Sequence, residues 1–248
     1  MRILIMADAD SAHTLKWIGA FRNAHEVCVY SFSAPGVGHG ALEGIPVYQV
    51  PEDVLAALRT TGVRWQVLRL VKHLRGVVRA FQPDVVHAFN LSSYGVVGSF
   101  LGFHPFVVST LGLDVYHYPK RDVLSRFLTR RVFKKADVLL STSEVMAKEC
   151  SKYTDKEMCI TSFGVNTDLF RPVPSEHRWG EGSFVVGNIK LLGEVSGQDL
   201  LIGAFAKLCE RNPNVDCHLV FVGDGTTRQE LEAQAVRLGI RERVHFEG

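Results

Sequence analysis

The sequence predicts an α/β protein: a doubly wound parallel sheet, followed by an incomplete second domain of the same kind. Three observations predict this fold class. Short apolar runs alternate with segments of helical periodicity along the whole chain. The apolar runs are continuous, as is typical of parallel strands covered by helices on both faces. The alternation also restarts after a polar stretch at 171–182 that contains two prolines and two glycines. We therefore expect domains at 1–170 and 183–248, joined by that linker.

The first domain contains the strands and helices in regular alternation. Strands are predicted over residues 2–7, 25–32, 45–50, 84–88, 106–110, 137–142 and 158–163. Helices are predicted over 11–24, 62–81, 122–135 and 144–152, and a Gly- and Pro-punctuated loop over 33–44. The helix at 62–81 is the strongest prediction, because its apolar residues recur every three or four positions until Gln82 and Pro83 end it.

The second domain is predicted to be short. Strands are expected over 183–189, 217–222 and 243–246, with helices over 197–211 and 226–238. Three strands make half of a doubly wound sheet, and an open apolar sheet edge favours unwanted pairing. We therefore favour a fragment of a longer protein, with an unusually small second domain as the alternative.

Composition and charge exclude several classes of protein. The chain has 248 residues, of which 46% are hydrophobic and 22% charged, and this excludes a disordered chain. The formal charge of +2, from 28 Lys and Arg against 26 Asp and Glu, is too even for a dedicated nucleic-acid binder. The five cysteines include no CxxC pair, so no zinc site is expected and free thiols in a reducing compartment are favoured. Without a signal peptide or a long apolar run, we expect a cytoplasmic protein.

Two predicted helical segments are strongly basic. Residues 59–81 carry six cations and no acid, and residues 120–135 carry seven cations against Asp122 alone. Basic amphipathic helices can rest on an anionic membrane surface, where each cation contributes roughly 1 kcal/mol. They can equally be solvated helix faces. The sequence leaves open whether the protein is peripheral at the inner face of the membrane.

Several polar residues follow predicted strands of the first domain. Asp8 and Asp10 stand where a dinucleotide-binding protein would have a glycine-rich loop, which counts against a nicotinamide or flavin enzyme. Those carboxylates could bind a sugar hydroxyl or a cation, or they could cap the next helix. His87, Asn90 and Asp114 could bind a hydroxyl-rich ligand or transfer protons.

Two short motifs follow predicted strands of the second domain. Residues 223–225 (Gly-Asp-Gly) would let the backbone approach a phosphate, although a tight turn explains them equally well. Residues 187–190 (Gly-Asn-Ile-Lys) end with Lys190, which could neutralise a diphosphate or be a solvated surface lysine.

Several stretches together resemble the family 4 glycosyltransferases. Residues 164–172 (GVNTDLFRP) resemble the signature that closes the family's first domain. Residues 199–205 (DLLIGAF), 219–225 (LVFVGDG) and 243–248 (RVHFEG) resemble motifs of its second domain. The resemblance implies a GT-B fold of two Rossmann-like domains, with the acceptor on the first and the nucleotide-sugar on the second. It also implies transfer of a sugar with retention and without a metal ion.

The resemblance assigns roles to particular residues. His13, His87, Asn90 and Asp114 are expected to contact the acceptor or the sugar. On the donor side the candidates are Asn188, Lys190, Gly223 and Gly225, with Lys190 at the diphosphate. The donor is a nucleotide-diphosphate sugar, no separate cofactor is implied, and the acceptor is a polysaccharide or a lipid-linked glycan.

The sequence departs from the family pattern at three places. The second diphosphate lysine of the family falls near Val195, where no cation stands. A histidine often found in the family is Leu111 here, and the family's glycine-rich first loop is replaced by residues 7–11 (ADADS). The largest gap is the ending, because the family's Glu-x7-Glu segment would lie beyond Gly248. We therefore expect the chain alone to bind the donor poorly and to be inactive or nearly so. The alternative interpretation is a non-catalytic subunit or sugar-binding module that acts with a partner.

Overall fold

The computed structural model describes residues 1–33, 42–172 and 178–248. These residues form two compact units, Met1–Asn166 and Thr167–Gly248. The described residues of the predicted linker at 171–182 belong to the second unit. Residues 173–177 of that linker, and 34–41 of the predicted loop at 33–44, lie outside the described residues.

The described part of the first unit contains one seven-stranded parallel sheet. Its strands are β1 (Arg2–Met6), β2 (Glu26–Ser31), β3 (Val47–Gln49), β4 (Val85–Phe89), β5 (Phe106–Thr110), β6 (Val138–Ser141) and β7 (Cys159–Ile160). The spatial order is β3-β2-β1-β4-β5-β6-β7, so the direction of winding reverses between β1 and β4. The predicted doubly wound sheet is confirmed.

Helices cover both faces of this sheet. They are α1 (Ala12–Phe21), α2 (Glu52–Thr61), α3 (Val63–Phe81), α4 (Val96–Gly98), α5 (Leu113–Tyr116), α6 (Tyr118–Arg121), α7 (Val123–Lys135) and α8 (Glu144–Cys150). Along β1, Leu4 belongs to the same apolar cluster as Leu70 of α3, whereas Ile5 belongs to the cluster of Ile18 from α1. Because both faces of the strand are buried, its sequence is a continuous apolar run.

The helix boundaries differ from the prediction in the basic segments. Helix α2 was not predicted, and it ends at Gly62, whose φ of 79° suits glycine. The segment 59–81 therefore spans parts of two helices. The segment 120–135 is also divided, because Asp122 is extended and its carboxylate accepts a hydrogen bond from the Ser125 backbone N–H at 2.7 Å, which starts α7. The last strand, predicted over 158–163, has only two residues.

The described part of the second unit contains a smaller parallel sheet and two α-helices. Its described strands are β8 (Phe184–Ile189), β9 (Cys217–Val222) and β10 (Val244–Phe246), in the order β10-β9-β8. The helices are α9 (Gln198–Arg211) and α10 (Arg228–Arg237). Ile202 and Phe205 of α9 pack with Leu219 and Phe221 of β9 and with Leu231 of α10 in one core.

Parallel pairing brings the loops after successive strands to one edge of each sheet. The loops after β1, β4 and β5 share the carboxyl edge of the first sheet, and those after β8 and β9 share that of the second. The candidate residues are therefore found on these two edges. None of the described helices combines the length and the hydrophobicity of a membrane-spanning segment.

Candidate functional site

A cavity of about 260 Å³ lies at the carboxyl ends of β1 and β4, within the first unit. We refer to it as the β1–β4 cavity. Its lining residues are Asp8, Ser11, His13, Thr14, Phe89, Asn90, Ser93, Tyr94 and Leu111. The winding of the sheet reverses between these strands, and doubly wound sheets bind ligands at that position. Most of the lining side chains are polar, which suits a ligand rich in hydroxyl groups.

The loop after β1 is held by its own hydrogen bonds. The Asp8 carboxylate oxygen Oδ1 accepts hydrogen bonds from the Asp10 backbone N–H, at 3.1 Å, and from the Ser33 hydroxyl. Helix α1 begins at Ser11, whose side chain makes no capping hydrogen bond. The Asp8 carboxylate therefore holds the loop and does not cap the helix, so the capping role considered for Asp8 is wrong.

His13 lies on the exposed side of α1 and faces a segment far along the chain. Its ring stacks on the ring of Phe163, with centroids 4.1 Å apart. One turn later, the Lys16 ammonium donates to the Gly164 carbonyl oxygen at 2.5 Å. Phe163 and Gly164, where the family signature begins, thus contact α1 next to the cavity. No pattern in the sequence indicated Lys16 or Phe163, since their contacts are long-range.

Asn90 occupies a strained backbone position directly after β4. Its φ is 80°, and its side-chain oxygen accepts hydrogen bonds from the backbone N–H and hydroxyl groups of Ser92 and Ser93, at 2.8–3.2 Å. These bonds cap a π-helical turn over Leu91–Gly95. The side-chain NH₂ group has no hydrogen-bond partner among the described residues. Asn90 therefore offers the cavity a donor whose orientation is fixed by the turn.

Asp114 is buried and connects two loops. Its carboxylate accepts hydrogen bonds from the backbone N–H groups of Leu91 and Gly112, both at 2.7 Å, and of Leu111 at 3.1 Å. Burial raises the pKa of Asp114, and the backbone donors act against that rise. Because its oxygens already bind the backbone, Asp114 positions the loops around the cavity and does not line it.

His87 lies inside β4, one of the core strands. It is 5% exposed, and its Nε2 is 2.8 Å from the Ser109 hydroxyl. Burial lowers its pKa to about 3, so the ring stays neutral near pH 7. The prediction placed His87 at the end of the strand, but the strand continues to Phe89. Of the four predicted acceptor-side residues, the structure brings His13 and Asn90 to the cavity and leaves His87 and Asp114 beneath it.

Tyr94 and Leu111 also line the cavity. The Tyr94 hydroxyl accepts a hydrogen bond from the Phe32 backbone N–H at 3.0 Å, and the two rings stack 4.1 Å apart. Burial raises the pKa of Tyr94. No sequence pattern indicated Tyr94, because its position depends on contact with Phe32, which follows β2. Leu111 occupies the place of the family's frequent histidine, so a side chain at that position faces the cavity.

In the second unit, the two predicted motifs pack directly against each other. Two backbone hydrogen bonds join the loop after β8 to the end of β9 and to the loop that follows β9. The Lys190 N–H donates to the Val222 carbonyl, and the Leu192 N–H donates to the Asp224 carbonyl, both at 3.0 Å. A Cβ on Gly223 would lie 2.4 Å from the Lys190 carbonyl oxygen, and one on Gly225 would lie 2.0 Å from that of Leu192. These glycines are therefore required for the approach of one backbone to another, whatever ligand binds nearby.

Asn188 and Lys190 are the polar side chains at the end of β8. Lys190 is exposed, and its ammonium makes no ion pair with any described residue. The Asn188 side-chain oxygen is buried and has no hydrogen-bond partner among the described residues. The Lys190 ammonium could bind a phosphate, whereas the Asn188 oxygen is an acceptor and needs a donor such as a hydroxyl group.

A second polar cluster lies on the strands of the second unit. His218 Nδ1 is 3.1 Å from His245 Nε2, and His218 Nε2 is 3.1 Å from the Asp216 carboxylate. The two neighbours lie on opposite sides of the His218 ring, so the three groups do not converge on one point. Within the described ranges, no group of three His, Cys, Asp or Glu residues could hold a metal ion.

The comparisons with known families agree with this arrangement. Residues 2–143 match the family described as Glycosyl transferase 4-like, and residues 171–248 match Glycosyl transferases group 1. The chain belongs to the family 4 (group 1) glycosyltransferases. The resemblance predicted from the motifs is thus confirmed. A search of curated proteins found no match to this glycosyltransferase.

Solved structures with the GT-B fold resemble this glycosyltransferase along its whole length. The lipopolysaccharide outer core galactosyltransferase WaaB has a TM-score of 0.64 at 16% identity, with 100% of this chain and 68% of that chain covered. Sucrose-phosphate synthase from Thermosynechococcus elongatus has a TM-score of 0.70 at 13% identity, covering 100% and 70%. UDP-GlcNAc 2-epimerase from Neisseria meningitidis, bound to UDP-GlcNAc, has a TM-score of 0.58 at 13% identity, covering 99% and 71%. Because an epimerase shares the fold, the family match rather than the fold indicates sugar transfer.

Proposed function

We propose that this glycosyltransferase moves a sugar, with retention, from a nucleotide-diphosphate sugar to a polysaccharide or lipid-linked acceptor. The acceptor would bind on the first unit and the donor on the second. The observation that carries the proposal is the β1–β4 cavity, whose polar side chains are held in fixed orientations at the switch point of the sheet. Two structural neighbours support the substrate class: one is a lipopolysaccharide galactosyltransferase, and the other is bound to UDP-GlcNAc.

The cavity has the donors and acceptors that a sugar hydroxyl needs. A hydroxyl group both donates and accepts hydrogen bonds. The Asn90 NH₂ group can donate, and the Asp8 carboxylate can accept through Oδ2, which makes no bond to a described residue. The His13 imidazole faces the same cavity. An acceptor hydroxyl held by these groups would be oriented without any rearrangement of the loops.

At the carboxyl ends of β8 and β9, Lys190 is a cation without an ion pair to a described residue, whereas the nearby Arg228 pairs with Asp224 and Glu232. Loss of a nucleoside diphosphate builds charge on the leaving group, and a nearby cation lowers that barrier. Lys190 is the single cation in residues 187–197 and 223–225. Val195, at the position of the family's second lysine, is 99% exposed. With one ammonium group at this place, we expect slow turnover by the chain alone.

The second candidate function is a non-catalytic subunit or sugar-binding module. The exposed Val195 and the cavity-lining Leu111 favour it, because both replace charged or titratable groups of the family. The double variant Leu111→His/Val195→Lys separates the candidates. Faster donor turnover in this variant supports a weakened enzyme. No gain in the variant, together with activity that appears on co-expression with a second chain, supports a partner subunit.

The variant Asn90→Asp tests the acceptor site. An aspartate keeps an oxygen for the four capping hydrogen bonds but removes the NH₂ donor, so the fold is retained while the cavity changes. We expect the unfolding free energy to stay within about 1 kcal/mol and acceptor-dependent UDP release to fall about 10-fold. The assay uses UDP-galactose, UDP-glucose and UDP-GlcNAc with lipopolysaccharide and membrane extracts as acceptors.

Two results would contradict the proposal. One is UDP release that is the same for Asn90→Asp and the unchanged chain. The other is the absence of acceptor-dependent release with every donor, both in the unchanged chain and in the Leu111→His/Val195→Lys variant. The matched control is Asn212→Asp, which changes an exposed asparagine that does not line the cavity.

A further inference from the structure

We propose that the outer faces of α3 and α7, at the corner where the two helices begin, dock onto an anionic lipid bilayer. We call this surface the α3–α7 corner, formed by Trp65, Leu68, Val123 and Phe127 with the cations of the following turns. The proposal rests on the described contacts of these helices and does not depend on glycosyl transfer. Neither family match nor any structural neighbour's title assigns a membrane surface.

An ion pair joins the first turns of the two helices. The Arg64 guanidinium of α3 is 2.7 Å from the Asp122 carboxylate, which also caps α7. The Ser125 backbone N–H and the Arg64 side chain hold the pKa of Asp122 at about 2, so the pair stays charged at neutral pH. Trp65 and Val123 directly follow these two residues in sequence. The ion pair thus places the apolar ends of both helices at one corner.

Four large apolar side chains of this corner are exposed. Their exposed fractions are 69% for Trp65, 83% for Leu68, 86% for Val123 and 60% for Phe127. Within each helix the two residues are three or four positions apart, and they therefore share one face. The opposite faces are buried in the core of the first unit. Single exposed apolar residues are common, but a group at the meeting point of two helices indicates a contact surface.

Basic residues lie near the apolar ones on both helices. Lys72 and Arg75 follow Leu68 on α3, and on α7 Arg126 and Arg130 lie on either side of Phe127 in sequence. None of these four cations makes an ion pair with a residue in the described part of the chain. By contrast, Arg69 pairs with Asp53. Exposed Trp and Phe beside unpaired Lys and Arg match a bilayer, which offers anionic headgroups above an apolar interior. This charge complementarity is why we commit to an anionic bilayer as the occupant.

The orientation of the helices relates the corner to the cavity. Helix α3 ends at Phe81, shortly before β4 begins at Val85, and α7 ends at Lys135, shortly before β6 begins at Val138. Their last turns therefore lie at the amino edge of the sheet and their first turns point to the carboxyl edge, where the β1–β4 cavity lies. Docking at the corner would bring that edge towards the headgroups. This suits a lipid-linked acceptor, and that consequence alone rests on the proposed function.

Vesicle co-sedimentation of the 248-residue chain tests the proposal without any turnover. Vesicles of phosphatidylcholine are compared with vesicles that also contain phosphatidylglycerol. We expect binding to the anionic vesicles that weakens as salt is raised, because the contact is partly electrostatic. Arg75→Gln/Arg130→Gln should weaken binding about 30-fold. Trp65→Ser/Phe127→Ser should weaken it at least about 10-fold.

Matched controls separate a surface effect from a folding effect. Val145→Ser changes an exposed valine on α8, and Lys148→Gln/Lys207→Gln removes two exposed lysines elsewhere. We expect vesicle binding by the controls to equal that of the unchanged chain, and all variants to unfold at the same urea concentration. Binding that is equal on neutral and anionic vesicles, or unchanged in both test variants, overturns the proposal. Self-association in ultracentrifugation that Trp65→Ser/Phe127→Ser abolishes also overturns it, because a second copy then covers the corner.

Discussion

The carboxyl edges of the two sheets are constructed in different ways. On the first, polar side chains that are buried or partly buried bind the backbone, as Asp114 and the oxygen of Asn90 do. On the second, two loops approach each other through Gly223 and Gly225, and the ammonium of Lys190 is exposed. The first edge is therefore a preformed cavity supported by hydrogen bonds, whereas the second is a close backbone contact with a free cation.

The two edges should therefore respond differently to substitution, the first in the stability of the fold and the second in ligand affinity. A buried polar group that loses its partner costs about 1–3 kcal/mol, since no water replaces the lost hydrogen bond. An exposed lysine contributes little to folding and interacts with a ligand mainly through its charge. Substitutions under the first edge should therefore change the unfolding free energy, and substitution of Lys190 should change ligand affinity.

The largest expected effect is that of Asp114→Ala. The substitution leaves the backbone N–H groups of Leu91, Leu111 and Gly112 without their acceptor. We expect the unfolding free energy of the first unit to fall by about 4 kcal/mol in urea denaturation followed by circular dichroism. The control Asp53→Ala removes an exposed partner of Arg69 and should change stability by less than about 1 kcal/mol. Equal effects of the two substitutions would disprove the supporting role of Asp114.

Gly225→Ala tests whether the second edge depends on the close approach of its loops. The added Cβ would lie 2.0 Å from the Leu192 carbonyl oxygen, so we expect a loss of about 3 kcal/mol in unfolding free energy. Gly203→Ala is the control, because nothing lies within 4 Å of its added Cβ. Since Gly203 lies within α9, alanine there should stabilise by about 0.5–1 kcal/mol. Tolerance of alanine at 225 would mean that the loop contact is not tight.

Because His87 is buried and neutral, we expect the unfolding free energy of the first unit to fall in acid. Burial lowers its pKa to about 3 in the folded chain, below the ordinary value of about 6.5 in the unfolded chain. Between these values the unfolded chain binds a proton that the folded chain excludes. The contribution of neutral His87 is therefore complete above about pH 6.5 and falls with pH, by up to about 1.4 kcal/mol per pH unit.

Comparison with His87→Gln isolates this effect. The unfolding free energies of the two chains are measured in urea from about pH 7 to about pH 5. We expect the curve of the unchanged chain to fall more steeply with acid than that of the variant. Parallel curves would show that His87 is protonated as easily in the folded chain as in the unfolded one.

The smallest expected effect is that of Lys190→Ala, on affinity alone. Removing an exposed ammonium near a diphosphate should raise the Kd for UDP about 10-fold in calorimetry and leave the unfolding free energy within about 0.5 kcal/mol. Lys207→Ala removes an exposed lysine from α9 and should leave the Kd unchanged. A large fall in the unfolding free energy of Lys190→Ala would contradict the claim that Lys190 contributes to ligand binding and little to folding.

The elements predicted from local pattern agree well with the structure. The 3.6-residue periodicity of 62–81 predicted α3 to within one residue, and the apolar run at 217–222 coincides with β9. Helix α2 was missed, and β7 is shorter than predicted. Those elements depend on neighbours, α3 for α2 and β6 for β7, so local pattern alone did not define them.

In the candidate site, too, some features could be predicted from local pattern and others depend on tertiary contacts. The sequence indicated that polar residues follow β4 and β5, but it could not separate residues that line the cavity from those beneath it. Asn90 and His87 are three positions apart, yet Asn90 lines the cavity while His87 bonds to Ser109 in the core. The direction of each side chain depends on where β4 ends, and its pairing with β5 sets that point.

By itself, the sequence determined the fold class, the family and the presence of most strands and helices, because apolar periodicity and motifs are local in the chain. Only the tertiary structure decided which polar groups remain available. In the folded chain, the Asp114 carboxylate accepts hydrogen bonds from three backbone N–H groups, and the Phe163 ring stacks on His13. The ion pair of Arg64 with Asp122 joins the two basic helices. Each of these contacts joins residues from different segments, and burial and hydrogen-bond partners exist only after those segments have packed.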